Sequence, residues 1–138
     1  MHFDSEQQID ELWEAFAAGT LPKADWTHQA HLAIAGILVW RDPESALVHA
    51  RAGILLLNQA HGTINSASSG YHETLTVFWI RFVTSFCSCR RSEPRLAVIN
   101  EMIAQLPRDL FQRYYSYDIV KSQEARRAWI EPDLHALA

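Results

Sequence analysis

Apolar residues recur in this chain at helical spacing, and nearly every such run carries its own start and stop signal. That punctuation confines the fold to packed helices. Ile9, Leu12, Trp13 and Phe16 form the first stripe at about 3.6-residue spacing, with Asp4 or Ser5 placed to cap it. Gly19-Thr20-Leu21-Pro22 stops it, glycine suiting a left-handed C-cap and proline following. A second helix is predicted from Asp25 or Thr27 to about Trp40. Asp42-Pro43-Glu44 then restarts the chain with a cap, a proline for the first helical position and an acid at the positive end of the dipole. The third helix runs through Ala46, Leu47, Ala50, Ile54 and Leu57 to Ala60, with Gly62 as terminator. Gly36 and Gly53 lie inside these helices at a cost of about 1 kcal/mol each, which predicts close approach of a neighbour.

Residues 61–70 form the longest polar loop. A fourth helix is predicted over about 71–87, with Leu75, Phe78, Trp79, Phe82, Val83 and Phe86 facing inward. Ser92-Glu93-Pro94 opens a fifth, which ends before Pro107. Short helices are expected at 110–115 and 122–129, and no stretch shows the alternation of a strand. The expected fold class is therefore all-α: a single domain over residues 1–138, a bundle of four to five helices with short C-terminal helices packed on it. A chain of 138 residues buries roughly 70% of its unfolded surface, enough for a real core.

Composition narrows the partners. The net charge is −4, and the basic residues cluster only as the pairs Arg90-Arg91 and Arg126-Arg127, so no nucleic acid is expected. The longest apolar run, 32–40, is too short for a bilayer, and the opening Met1-His2-Phe3-Asp4-Ser5-Glu6 has no signal-peptide character. A cytoplasmic location without membrane contact is the expectation. Cys87 and Cys89 would diverge by about 200° on a helix, so both read as reduced thiols, buried or half-buried. Five Trp, six Phe and four Tyr supply core material and the aromatic walls that small-molecule pockets favour. A small-molecule ligand is thus the expected partner, with self-association into a homo-oligomer as a further expectation.

Two short clusters concentrate the polar chemistry: Trp26-Thr27-His28-Gln29-Ala30-His31-Leu32 and Gly70-Tyr71-His72-Glu73-Thr74. Each places histidine at a helix start. His28 and His31 are three apart and share a face, as paired ligands in helical metal sites do. One expectation is therefore a divalent metal (Zn, Fe, Ni or Mn) held by His28, His31 and His72, with Glu73 as fourth ligand or general base and Trp26 and Tyr71 as walls. Against it stands the positive end of each helix dipole, which repels a cation, keeps imidazole neutral and attracts anions. The alternative expectation is a metal-free, non-catalytic pocket for a small anionic or aromatic ligand, held by backbone N–H groups and imidazole donors. A third reading has the histidines merely cap helices and bond buried backbone. In Arg113-Tyr114-Tyr115-Ser116-Tyr117, Tyr115 is a candidate cleft residue. Farther on, Arg126 or Arg127 is placed to meet an anion, Arg127 being the candidate, while Arg127 and Glu131 read as an ion pair.

Taken together, Trp26-Thr27-His28 with His31-Leu32, Gly70 to Thr74 with Thr76, Tyr115-Ser116, and Ala125-Arg126 with Trp129, Glu131-Pro132-Asp133-Leu134 resemble an uncharacterised bacterial family of small all-helical proteins. The likeness spans about 25–134 and implies a fold class and a grouping of motifs, with no activity attached. A looser likeness is to DinB-like helical metalloproteins, whose three histidines come from different helices. Here the first two share one helix, a departure from that pattern.

Overall fold

The computed structural model describes residues 1–137. It holds six α-helices: α1 (Glu6–Ala18), α2 (His28–Arg41), α3 (Ala46–Ala60), α4 (Glu73–Ser88), α5 (Arg95–Gln105) and α6 (Gln123–Arg127). Short 3-10 turns lie at Lys23–Asp25 and Leu110–Arg113, and the described residues contain no strand. The all-α expectation holds.

Local chemistry sets most of the boundaries. The Ser5 hydroxyl accepts from the Gln8 N–H to start α1, and Gly19 at φ 69° ends it. Thr27 accepts from the Ala30 N–H to start α2. Two starts differ from expectation. α3 opens at Ala46 because Asp42 is the C-cap of α2 and its carboxylate accepts from the Glu44 N–H, holding 43–45 as a turn. α4 opens at Glu73 because His72 stands outside the helix in extended backbone and caps it. The two C-terminal helices are shorter than expected, a 3-10 turn and a five-residue α6.

α2 is the axis of the bundle. Residues 32–39 are buried without interruption, and α1, α3, α4 and α5 all pack on this helix. A helix buried around its circumference must be apolar on every side, which is what the run 32–40 supplies. The main core gathers Ile9, Phe16, Leu32, Ile37, Leu57, Val83, Val98 and Met102 around it. A second cluster of Phe78, Phe111, Tyr115, Ile119 and Ala125 lies under the C-terminal segment. α4 joins the two, since Trp79 packs against both. At the periphery Arg95 clamps α5 to α1 through Glu6 (2.5 Å) and Asp10 (3.1 Å). No described helix is long and apolar enough to cross a membrane.

Specific side-chain bonds tie down the arm after α6. The fully buried Thr74 hydroxyl donates to Ala128 O (2.8 Å) and accepts from the Ile130 N–H (3.1 Å). Tyr115 donates to Ile130 O (2.7 Å), and Ser116 donates backbone N–H and hydroxyl to Asp133. Arg126 donates to Gly70 O (2.7 Å) and Val120 O (3.1 Å). Glu131 meets Arg81 (3.7 Å) and the Trp129 indole N–H (3.1 Å), correcting the expected pairing with Arg127. Both cysteines are free and Cys87 is buried, as expected, while Cys89 is exposed at the C-cap of α4, which corrects its expected burial.

The two helical glycines differ in what they face. A Cβ at Gly53 would lie 2.1 and 2.3 Å from ring atoms of the buried Phe16, whereas one at Gly36 would meet the terminal methyl of Met102 at 2.6 Å. Overpacking a fixed ring costs about 1–3 kcal/mol and exceeds the ~1 kcal/mol helical gain of alanine, while a methionine end swings aside cheaply. In urea unfolding, Gly53→Ala is expected to lose stability and Gly36→Ala to stay within about 1 kcal/mol of wild type.

Candidate functional site

The α2 and α4 N-termini border a cavity of about 820 Å³. Its walls are apolar and aromatic: Phe16 from α1, Trp26 just before α2, Leu32 and Ala35 along α2, Ile54 on α3, Leu75 and Trp79 on α4, and Phe111. Polar tips come from His28, His31, His72, Asn58, Thr76, Arg108, Asp109 and Arg126. The volume lies within the usual range of small-molecule pockets, about 300–1,000 Å³.

The two histidines of α2 are each backed by a tryptophan. His31 stacks on Trp26 with ring centroids 3.7 Å apart, and Trp26 continues onto Phe16 at 5.6 Å. His28 lies 5.2 Å from Trp79. His31 Nδ1 is 2.6 Å from Thr27 O, and His28 Nε2 is 3.1 Å from Leu106 O. A carbonyl only accepts, so each of these nitrogens carries the proton. The lone pairs are left on His31 Nε2 and His28 Nδ1. These imidazoles therefore offer acceptors to the cavity, not the donors expected for an anion.

Burial holds the rings neutral. His31 keeps open surface, but that surface lies along the cavity wall, and the surrounding protein withholds the hydration an imidazolium needs. Desolvation first, then the charges of His28 and Arg108, push its pKa down to about 4, against the opposing bond to Thr27 O. His28 is lowered by burial and by Arg108, and His72 by burial and by Arg126.

His72 has a different task. Its Nε2–H donates to Ile119 O (2.7 Å) while its Nδ1 accepts from the Leu75 N–H (3.1 Å). Both nitrogens are spent on backbone, and only 7% of the residue is exposed. The expected ligand set of His28, His31 and His72 is thus not assembled: a metal at His72 would have to break a helix cap or a buried carbonyl bond. Among the described residues no group of three or more His, Cys, Asp and Glu side chains is placed to hold a metal ion.

Glu73, expected as base or ligand, is fully engaged. Arg51 grips it with Nε on Oε1 (2.9 Å) and Nη2 on Oε2 (2.5 Å), and the Tyr71 hydroxyl donates to Oε1 (2.7 Å). The Arg51 bond first, then the Tyr71 bond, hold its pKa below the usual carboxylate range despite partial burial. Tyr71, pushed up to about 12 by burial and by Glu73, is a hydroxyl donor at any ordinary pH. Neither residue lines the cavity. Together they lock α3 to the start of α4. Gly70 completes this corner at φ 78°, where a Cβ would strike Asn65 Oδ1 at 2.4 Å.

Two further expectations are corrected. Tyr115 lies in the second core cluster at 3% exposure, not in the cavity, because its hydroxyl is drawn to Ile130 O. Arg127 is exposed and off the cavity, and its neighbour Arg126 lines it instead. Successive helical residues diverge by about 100°, so only one of the pair faces α4. Arg108 and Phe111 also line the cavity and were not singled out as site residues by sequence pattern, and neither was Trp79. The inward stripe of α4 already contained Trp79, while Arg108 carries no local signal. No family model matches the chain, and neither a curated protein nor a solved structure does.

Two predictions test this electrostatic arrangement. Imidazoles that stay neutral when folded but protonate near pH 6.5 when unfolded make the unfolded chain bind more protons as pH falls. Stability is full above about pH 6.5 and declines from there toward pH 4. His31→Asn retains a donor for Thr27 O without titrating, so its melting temperature should fall less steeply over that window. Glu73→Gln should cost about 1–3 kcal/mol in urea unfolding, because Arg51 loses its charge partner.

Proposed function

We propose that the protein is a metal-free binding module that takes a small molecule with a flat apolar body into the 820 Å³ cavity. The lining carries this reading: aromatic and aliphatic walls with a few convergent polar groups fit a rigid ring system. Two neutral acceptors, His28 Nδ1 and His31 Nε2, favour a ligand that brings a hydroxyl or N–H donor. Arg108 and Arg126 give the cavity edge a positive balance against Asp109, in keeping with a ligand that is also anionic. Glu73 is held in its clamp away from the cavity, so the basic groups of the lining are the imidazole lone pairs and Asp109, which serve here as hydrogen-bond acceptors for the ligand.

1-Naphthol is a direct probe, combining a fused ring with one hydroxyl donor. Saturable binding is expected, read by quenching of tryptophan fluorescence and by a rise in melting temperature. Trp26→Ala removes the wall behind His31 and should weaken it about tenfold, equivalent to about 1.4 kcal/mol. No saturable response to such ring probes, or unchanged affinity in both Trp26→Ala and His31→Asn, would overturn the reading.

A second reading rests on one observation. His28 and His31 each point a protonated nitrogen at a backbone carbonyl, the arrangement that orients metal-ligating imidazoles, and their lone pairs are unused. A two-histidine site for Zn, Fe, Ni or Mn, completed by solvent or substrate, follows from it. Metal-dependent stabilisation lost in His31→Asn supports this reading, and no thermal shift with any of the four metals eliminates it.

A further inference from the structure

A second pocket, of about 650 Å³, opens beside the cavity and shares Thr27, His28 and Arg108 with it. Its lining is more polar: Gln29, Gln105 and Arg113 join Arg108 there, beside the apolar Ile103, Ala104, Leu106 and Pro107. Arg108 and Arg113 flank the turn that leaves α5, and among the described residues neither has a hydrogen-bond or ion-pair partner. Among the described residues no carboxylate lines this pocket; Asp109 lines only the larger cavity. Glu101, which accepts from the lining residue Gln105 (3.3 Å), is paired with Arg90 (3.3 Å).

The backbone adds donors on the same side. In the first turn of α2, Thr27 caps the Ala30 N–H and the His31 N–H bonds Thr27 O. The N–H groups of His28 and Gln29 precede any helical acceptor and have none among the described residues. The C-terminal turn of α5 opposes them with its carbonyl end, of which Leu106 O already accepts from His28. Two unpaired guanidiniums, two free amide donors and three lining residues shared with the aromatic cavity describe a divided site.

We infer that this pocket is an oxyanion subsite, taking the phosphate or carboxylate of a ligand whose ring occupies the cavity. The inference rests on the cavity reading above and names its ligand class: a ring-bearing small molecule with a terminal oxyanion. His28, at the junction of the two pockets, would lie between ring and anion, its Nδ1 facing a ligand donor.

The test compares 1-naphthyl phosphate, 1-naphthol and inorganic phosphate on the intact protein, with Arg113→Gln and Arg113→Glu beside wild type. Arg113 is exposed, unpaired and absent from the main cavity, so its replacement leaves the fold and the ring site alone. At low ionic strength the phosphate ester should bind about tenfold or more tightly than naphthol, with the gain shrinking as salt is raised. Arg113→Gln should remove part of that gain and Arg113→Glu all of it, while naphthol affinity stays within about twofold. Equal affinity for ester and naphthol, or a gain that survives Arg113→Glu, overturns the subsite and leaves the cavity reading intact. An Arg113-dependent response to ester and inorganic phosphate, with no naphthol binding, upholds the subsite and sinks the aromatic reading. Silence to all three probes sinks both.

Discussion

The burial of α2 on every side is the constraint from which the rest of this structure follows. A helix that touches four others over residues 32–39 cannot carry polar groups along its length. Its chemistry is displaced to the end where it enters the bundle. There Thr27, His28 and His31 satisfy backbone and face the cavity at once. The position of the candidate site is in this sense a by-product of core packing.

The second cluster of motif residues works mainly as joinery. Within Gly70-Tyr71-His72-Glu73-Thr74, the glycine makes the turn, the tyrosine and glutamate hold Arg51, the histidine caps α4, and the threonine grips the C-terminal arm. A dense run of chemically able side chains thus spends nearly all its hydrogen bonds inside the protein. Thr76 hydroxyl follows suit, donating to His72 O at 2.8 Å. The α2 imidazoles that line the cavity keep one lone pair each, and among the described residues Arg108 and Arg113 have no hydrogen-bond or ion-pair partner.

What the residues revealed beforehand was what local physics decides. Ser5, Thr27, Gly19 and Gly62 set helix ends through neighbours a few positions away, and the glycines inside α2 and α3 did mark close packing. The contacts of His72, Tyr115 and Arg126 were beyond such reasoning. His72 is fixed by a carbonyl 47 positions along the chain, and Arg126 by one 56 positions back. Whether an imidazole nitrogen meets a carbonyl or an open cavity depends on tertiary packing, so spacing alone made a ligand set look plausible. Arg108 gave no signal because a single charge after Pro107 looks like any solvated turn.

The two hydrogen bonds of Thr74, one to Ala128 and one from Ile130, have a consequence for how the molecule is made. The aromatic face of α4 around Phe78 is covered by Phe111, Tyr115, Ile119 and Ala125, all synthesised later. During translation that greasy strip stays naked until those residues have emerged, and closing so long a loop around one hydroxyl comes late because its entropy must be met first. An apolar strip left uncovered in this way is a surface on which neighbouring chains mispair.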